Sequence, residues 1–184
     1  VTITNINDNR PKFVENTLNV TVQESAPVGT AVAFLHALDV EQDTLSYSIV
    51  NGDNSQQFSI DTKGKLFITR NLDYESKTSY ALEIQATDFD NLVSLTSKPN
   101  AMVYIEVLET NDNVPKFDKL YYKISISELT AIGSTILNVS ATDNDGGALS
   151  GLFFFLLENT TDFDVKQRTG AVFVKKQLDF EKMD

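Results

Sequence analysis

Asn111-Asp112-Asn113-Val114-Pro115-Lys116-Phe117 restates, 104 residues later, the pattern Asn7-Asp8-Asn9-Arg10-Pro11-Lys12-Phe13. The agreement extends well beyond these two heptads. Glu24 and Gly29 return as Glu128 and Gly133, and Ala37-Leu38-Asp39-Val40-Glu41 returns as Ala141-Thr142-Asp143-Asn144-Asp145. Phe58 and Gly64 return as Phe163 and Gly170, and Leu72-Asp73-Tyr74-Glu75 as Leu178-Asp179-Phe180-Glu181. The offset drifts to 105 and then 106, so two loops have each gained one residue. A period of this size is a domain repeat rather than a solenoid unit. Residues 1–9 are expected to be the last strand and linker of a preceding repeat, and 10–113 a complete repeat with its linker. Residues 114–184 are expected to be a following repeat that stops before its last two strands.

Within a repeat the local signal is strand after strand. Leu18, Val20 and Val22 alternate with polar residues, as do Tyr80, Leu82, Ile84 and Ala86, then Val103, Ile105 and Val107, then Tyr122, Ile124 and Ile126. Turn chemistry separates them: Ala-Pro-Val-Gly at 26–29, Asn-Gly-Asp-Asn at 51–54, Thr-Lys-Gly at 62–64. No stretch carries a helical stripe. The expected class is all-β, as tandem Greek-key β-sandwiches of about seven strands each.

Composition narrows the function. The chain of 184 residues holds 26 Asp and Glu against 15 Lys and Arg, a formal charge of −11. Nucleic acid and anionic membrane surfaces are disfavoured as partners, because both are bound by concentrated Lys and Arg. There is no cysteine and one histidine, His36, which removes thiol catalysis, disulfides and any site with two imidazoles. The longest apolar run, Leu152 to Leu157, is far short of the roughly 20 residues needed to span a bilayer.

Carboxylates stand in i, i+2 pairs, Asp39 and Glu41 returning as Asp143 and Asp145, Asp73 and Glu75 as Asp179 and Glu181, with a further pair at Asp88 and Asp90. On extended backbone an i, i+2 spacing puts both side chains on one face, about 7 Å apart. Like charges so placed repel unless a cation lies between them. Hard oxygen donors beside an Asn- and Asp-rich linker describe a calcium site, since Ca²⁺ takes six to eight oxygens. An EF-hand is ruled out, because counting from Asp143 puts Phe154 where its bidentate Glu belongs. A catalytic carboxylate pair has no cleft-forming insertion and no histidine to support it, so no enzyme and no small-molecule substrate is expected.

These residues resemble the cadherin repeats. The marks are Gln23-Glu24-Ser25 at the end of the first strand, Leu72-Asp73-Tyr74-Glu75, Ala86-Thr87-Asp88, Asp143-Asn144-Asp145, and Glu109-Thr110 running into the Asn111–Phe117 heptad. The resemblance covers essentially the whole chain, and it implies three Ca²⁺ ions at the junction around Asn113. The ligands carried over are Glu24, Asp73 and Glu75 from the first repeat; Glu109, the Thr110 carbonyl, Asn111, Asp112 and the Asn113 carbonyl from the linker; and Asp143 and Asp145 from the second repeat. At the upstream linker Asn7, Asp8 and Asn9 would act with Asp39, Glu41 and Asp88. Asn5 and Glu41 stand there where the pattern has Asp, so fewer or weaker ions are expected. Asp179 and Glu181 take the places of Asp73 and Glu75 in the second repeat.

The implied role is calcium-dependent cell adhesion, by internal rod-forming repeats stiffened by Ca²⁺ at their linkers. They would belong to the extracellular part of a membrane-anchored plasma-membrane protein whose partners are other cadherin ectodomains, homophilic or heterophilic. The alternative is a calcium-independent binding module of immunoglobulin or fibronectin type III kind. Sequons at Asn19, Asn138 and Asn159 are candidate glycosylation sites. Phe153 and Phe155 take the outward places of Ser46 and Ser48, as a contact patch or as a face covered by further strands.

Overall fold

The computed structural model describes residues 2, 6–89, 93–145, 151–158 and 162–182. Asn5, Asp90 and the Asn159 sequon lie outside the described residues, as does most of the segment read as a preceding repeat's last strand. The chain divides into two compact units, residues 1–110 and 111–184.

The described residues of unit 1 form nine strands: β1 (Lys12–Phe13), β2 (Thr17–Gln23), β3 (Ala31–Phe34), β4 (Ala37–Leu38), β5 (Thr44–Asn51), β6 (Phe58–Ile60), β7 (Lys65–Ile68), β8 (Ser79–Phe89) and β9 (Ala101–Leu108). One sheet has the order β2-β9-β8-β5 and the other β3-β7-β6, with a short β1-β4 ladder. The first long strand returns to lie beside the last, so β2 and β9 run parallel, with Leu18 opposite Val103 and Val20 opposite Ile105. All other ladders are antiparallel. Alternation does the sorting. Along β8, Tyr80, Leu82, Ile84, Ala86 and Asp88 point inward and the residues between them outward. Leu66, Ile68, Leu82, Ile84, Val103 and Ile105 form the centre of a dry core between the sheets. Phe58 meets Tyr80 edge-on at 4.9 Å, and the Tyr80 hydroxyl is satisfied by Gln57.

Unit 2 repeats the smaller sheet in detail. Its strands are β10 (Lys116–Phe117), β11 (Thr135–Asn138), β12 (Ala141–Thr142), β13 (Phe163–Lys166) and β14 (Ala171–Val174). They pair as β11-β14-β13 and β10-β12. Thr135 faces Phe173 as Ala31 faces Phe67, and each ladder has its irregularity at the same place, Ala31/Ala33 and Thr135/Leu137. The alternation at Tyr122, Ile124 and Ile126 predicts a strand, but no ladder forms there. The reason is partnership. In unit 1 the matching strand β2 is held by β9, and the described part of unit 2 contains no counterpart of β8 or β9. An alternating segment without a neighbour has nowhere to send its backbone hydrogen bonds.

Gly64 and Gly170 show how closely the two units follow one plan. Each has positive φ, +77° and +66°. Each accepts a backbone bond, from Leu35 N at 2.8 Å and from Val139 N at 2.9 Å. A Cβ on either would fall 2.0 or 2.1 Å from the carbonyl oxygen of that same Leu35 or Val139. Gly29 also has positive φ, +93°, yet a Cβ there meets nothing within 4 Å. Gly29→Ala is therefore expected to cost about 1 to 2 kcal/mol from backbone strain alone, and Gly64→Ala at least ~3 kcal/mol because strain and clash combine. Denaturant unfolding of the two variants checks this, and equal losses would contradict it.

Candidate metal centre

The pairs Asp39–Glu41, Asp73–Glu75 and Asp143–Asp145 are placed by turns rather than by extended backbone, which corrects the expectation from i, i+2 spacing, while Asp88 stays on the extended backbone of β8. Asp39 Oδ1 accepts the backbone N–H groups of Glu41 and Asp43 at 2.9 and 3.2 Å. In unit 2, Asp143 Oδ1 accepts from Asp145 N at 3.0 Å. Asp73 accepts from the Ser76 hydroxyl at 2.7 Å and its amide at 3.2 Å. The Ser76 hydroxyl, aided by the amide, holds the Asp73 carboxyl below the usual aspartate range. Asp73 thus spends both carboxylate oxygens on Ser76, whereas Asp39 spends Oδ1 on its own turn and keeps Oδ2 buried without a donor.

At the end of unit 1 that carries residues 7–9, this leaves a cluster of oxygens without donors. Asn7 is 4% exposed, and its amide nitrogen donates to Asp88 Oδ1 at 2.8 Å, an oxygen that also accepts Leu95 N at 2.7 Å. Asp88 occupies the last inward position of β8, fully buried, beside Leu45 at the start of β5. Asn9 donates to Glu41, which is joined to Asp39 by its own backbone. Four buried oxygens at this end of the unit lack any hydrogen-bond partner: Asn7 Oδ1, Asp39 Oδ2, Glu41 Oε2 and Asp88 Oδ2. Each would cost about 1 to 3 kcal/mol if left so, and more where charged. Buried oxygens without donors are the atoms that a hard cation with an all-oxygen shell takes as ligands, so the donor set fits Ca²⁺. Asp8 stays at the surface and accepts from the Asn9 side chain.

The opposite end of unit 1 is organised by Glu24. It is 5% exposed, accepting Tyr74 N on Oε2 at 2.7 Å and Thr110 N on Oε1 at 2.6 Å. One buried side chain thus ties the Asp73–Glu75 turn to the strand that leads into the linker. Ser25 and Thr110 are joined by their hydroxyls at 3.1 Å. A carboxylate oxygen of Glu75 comes within 4.8 Å of one on Glu24 and one on Glu109, so three of the expected ligands gather here.

Unit 2 reproduces both arrangements. Asn113 donates its backbone N–H and its amide nitrogen to Asp145 Oδ1, at 3.2 and 2.8 Å, as Asn9 donates to Glu41. Asp145 Oδ2 is buried without a partner, while Asn111 and Asp112 are exposed. Glu128 accepts Phe180 N at 2.9 Å, as Glu24 accepts Tyr74 N, and lies within 4.8 Å of Asp179 and Glu181. Glu128 was not among the ligands carried over from the resemblance, although its match to Glu24 at offset 104 signals it. Asn19 and Asn138 are exposed, on β2 and β11. Phe153 is 49% exposed beneath the Arg168 guanidinium, 4.6 Å away, and Phe155 is 65% exposed.

The profile of the cadherin domain matches residues 18–108 and 122–184. The chain belongs to the cadherin-domain family. It is 36% identical to human protocadherin Fat 4 over 182 residues, which is 96% of this chain and 4% of that protein. It is 30% identical to mouse cadherin EGF LAG seven-pass G-type receptor 2 over 185 residues, 98% of the chain and 6% of the relative. The cadherin chain thus spans only a small part of these relatives. Among solved structures, repeats EC22–24 of mouse cadherin-23 superpose with a TM-score of 0.85 at 28% identity, covering 96% of this chain and 57% of that one. Repeats EC1–3 of mouse protocadherin-24 give 0.80 at 26%, covering 96% and 60%. The cadherin repeat is a structural adhesion module and not an enzyme family.

The role of Glu24 in this cadherin chain is open to test without metal. Glu24→Ala strips the acceptor from two backbone amides and is expected to cost about 2 to 4 kcal/mol in EGTA, with Glu24→Gln losing roughly half as much. Equal stability of Glu24→Ala and the parent chain would show that the carboxylate does not organise this end.

Proposed function

We propose that this chain is an internal stretch of a cadherin-type ectodomain that serves calcium-dependent cell adhesion, its repeats set in a stiff rod by Ca²⁺ at their linkers. Four buried oxygens in unit 1 carry the reading: Asn7 Oδ1, Asp39 Oδ2, Glu41 Oε2 and Asp88 Oδ2, each without a donor. Three ions belong to the linker around Asn113. The upstream linker holds fewer or weaker ions, because Asn5 and Glu41 replace Asp there. The ion that Asn7, Asp39, Glu41 and Asp88 would hold draws on residues of unit 1 alone. Bound calcium supplies charge neutralisation and completes the hydrogen-bond-poor oxygens; the protein supplies the turns that aim them.

The mechanism is linkage. Ions that bind only the ordered arrangement stabilise it by mass action, about 2.7 kcal/mol per site at a hundredfold excess over Kd. Extracellular sites of this kind bind at roughly 0.1 to 1 mM, so they fill outside a cell and empty in its cytosol. The parent is accordingly proposed to be anchored in the plasma membrane with these repeats outside, meeting other cadherin ectodomains. Calcium at ~10 mM should raise the melting temperature over EGTA by at least ~10 °C, and magnesium should not substitute. A melting temperature, protease sensitivity and scattering-derived length indifferent to EGTA would favour the calcium-independent binding module instead.

A further inference from the structure

We infer that Asn19 carries an N-linked glycan whose first sugar packs on the ring of Tyr104, a modification that rests on the extracellular placement proposed above. The sequon is Asn19-Val20-Thr21, and on a strand its first and third residues share a face. That face is the outer one of the β2-β9-β8-β5 sheet. Along β2 the burial alternates so that Thr17, Asn19, Thr21 and Gln23 are exposed while Leu18, Val20 and Val22 turn inward. A glycan on Asn19 therefore leaves the core untouched.

The neighbour across the ladder makes this position more than an exposed sequon. Asn19 is in register with Tyr104 on β9, and Tyr104 with Ala81 on β8. Tyr104 points outward, 45% exposed, between a short side chain on either side. Its face is thus open for the C–H groups of a pyranose, which meet the negative side of the ring quadrupole. Beyond the ring lies a depression of about 640 Å³ whose lining includes Tyr104, Ala81, Ser79, Glu106 and Lys77. Ser79 and Glu106 form an outward pair in register, so donors and acceptors for sugar hydroxyls border the aromatic platform. Asn138, the other sequon asparagine among the described residues, faces Ala171 and has no such ring opposite it.

Attachment precedes folding. The Asn19 amide nitrogen displaces the diphosphate from the anomeric carbon of a lipid-linked oligosaccharide; one C–N bond forms, one C–O bond breaks, and the lipid diphosphate and an amide proton leave. The sheet then places the sugar beside Tyr104. A glycan there would cover this face against protein contact.

The test uses the full chain behind a heterologous leader, secreted from mammalian cells into calcium-containing medium. With Asn138 and Asn159 replaced by Gln in every protein compared, intact mass before and after peptide N-glycosidase should show one glycan that is lost in Asn19→Gln and Thr21→Ala and kept in Thr21→Ser. Removing the glycan completely should lower the melting temperature by about 2 to 4 °C, whereas trimming to the first sugar should not. In Tyr104→Ala, removal should have no effect. An Asn19→Gln chain that loses the same mass to the glycosidase as the parent overturns the site, and equal losses of melting temperature with and without Tyr104 overturn the platform. Neither result touches the calcium response, which is read separately by EGTA.

Discussion

Four oxygen atoms, on Asn7, Asp39, Glu41 and Asp88, are buried in unit 1 with no donor to meet them. The surrounding structure exists to hold them so. Asp88 is carried at the inward end of β8, Asp39 and Glu41 by a turn that spends one carboxylate oxygen on its own backbone, and Asn7 by its bond to Asp88. Left as they are, these groups would be among the most costly features of a sandwich that has no disulfide to offset them. A bound cation would reverse the sign of that contribution.

The same logic runs along the chain. Each unit has a hydrophobic middle that folds by alternation and two polar ends that are shaped by side chains bonding to backbone. Glu24 and Glu128 each accept the amide that opens an Asp-x-Glu turn, and Glu41 and Asp145 each meet the amide of a linker asparagine. The charge of −11 is therefore no general surface property. Much of it is gathered at the ends of sandwiches, where carboxylates would repel unless metal intervenes.

Much of this was legible in the residues themselves. Period-2 alternation located β2, β8 and β9, and the internal repeat located both sets of acidic residues, because apolar burial and motif spacing are written directly in the chain. Turn geometry was less so. Whether Asp39 and Glu41 stand on extended backbone or in an Asx turn depends on a choice between local hydrogen bonds that spacing does not encode. Tyr122, Ile124 and Ile126 alternate as β2 does, yet a strand is a property of two segments, and their partners are not among the described residues. Glu128 was visible as the repeat of Glu24, but its closeness to Asp179 and Glu181 depends on how the chain folds back.

The central claim is that the donor-less oxygens of unit 1 are calcium ligands. Isothermal titration of calcium into the full chain and into Asp88→Asn addresses it most directly, because Asp88 lies wholly within the first unit and replacing one oxygen by an amide keeps the shape of the buried site. Asp88→Asn should show one fewer binding event with the remaining events unchanged. Superimposable isotherms for the two proteins would contradict it.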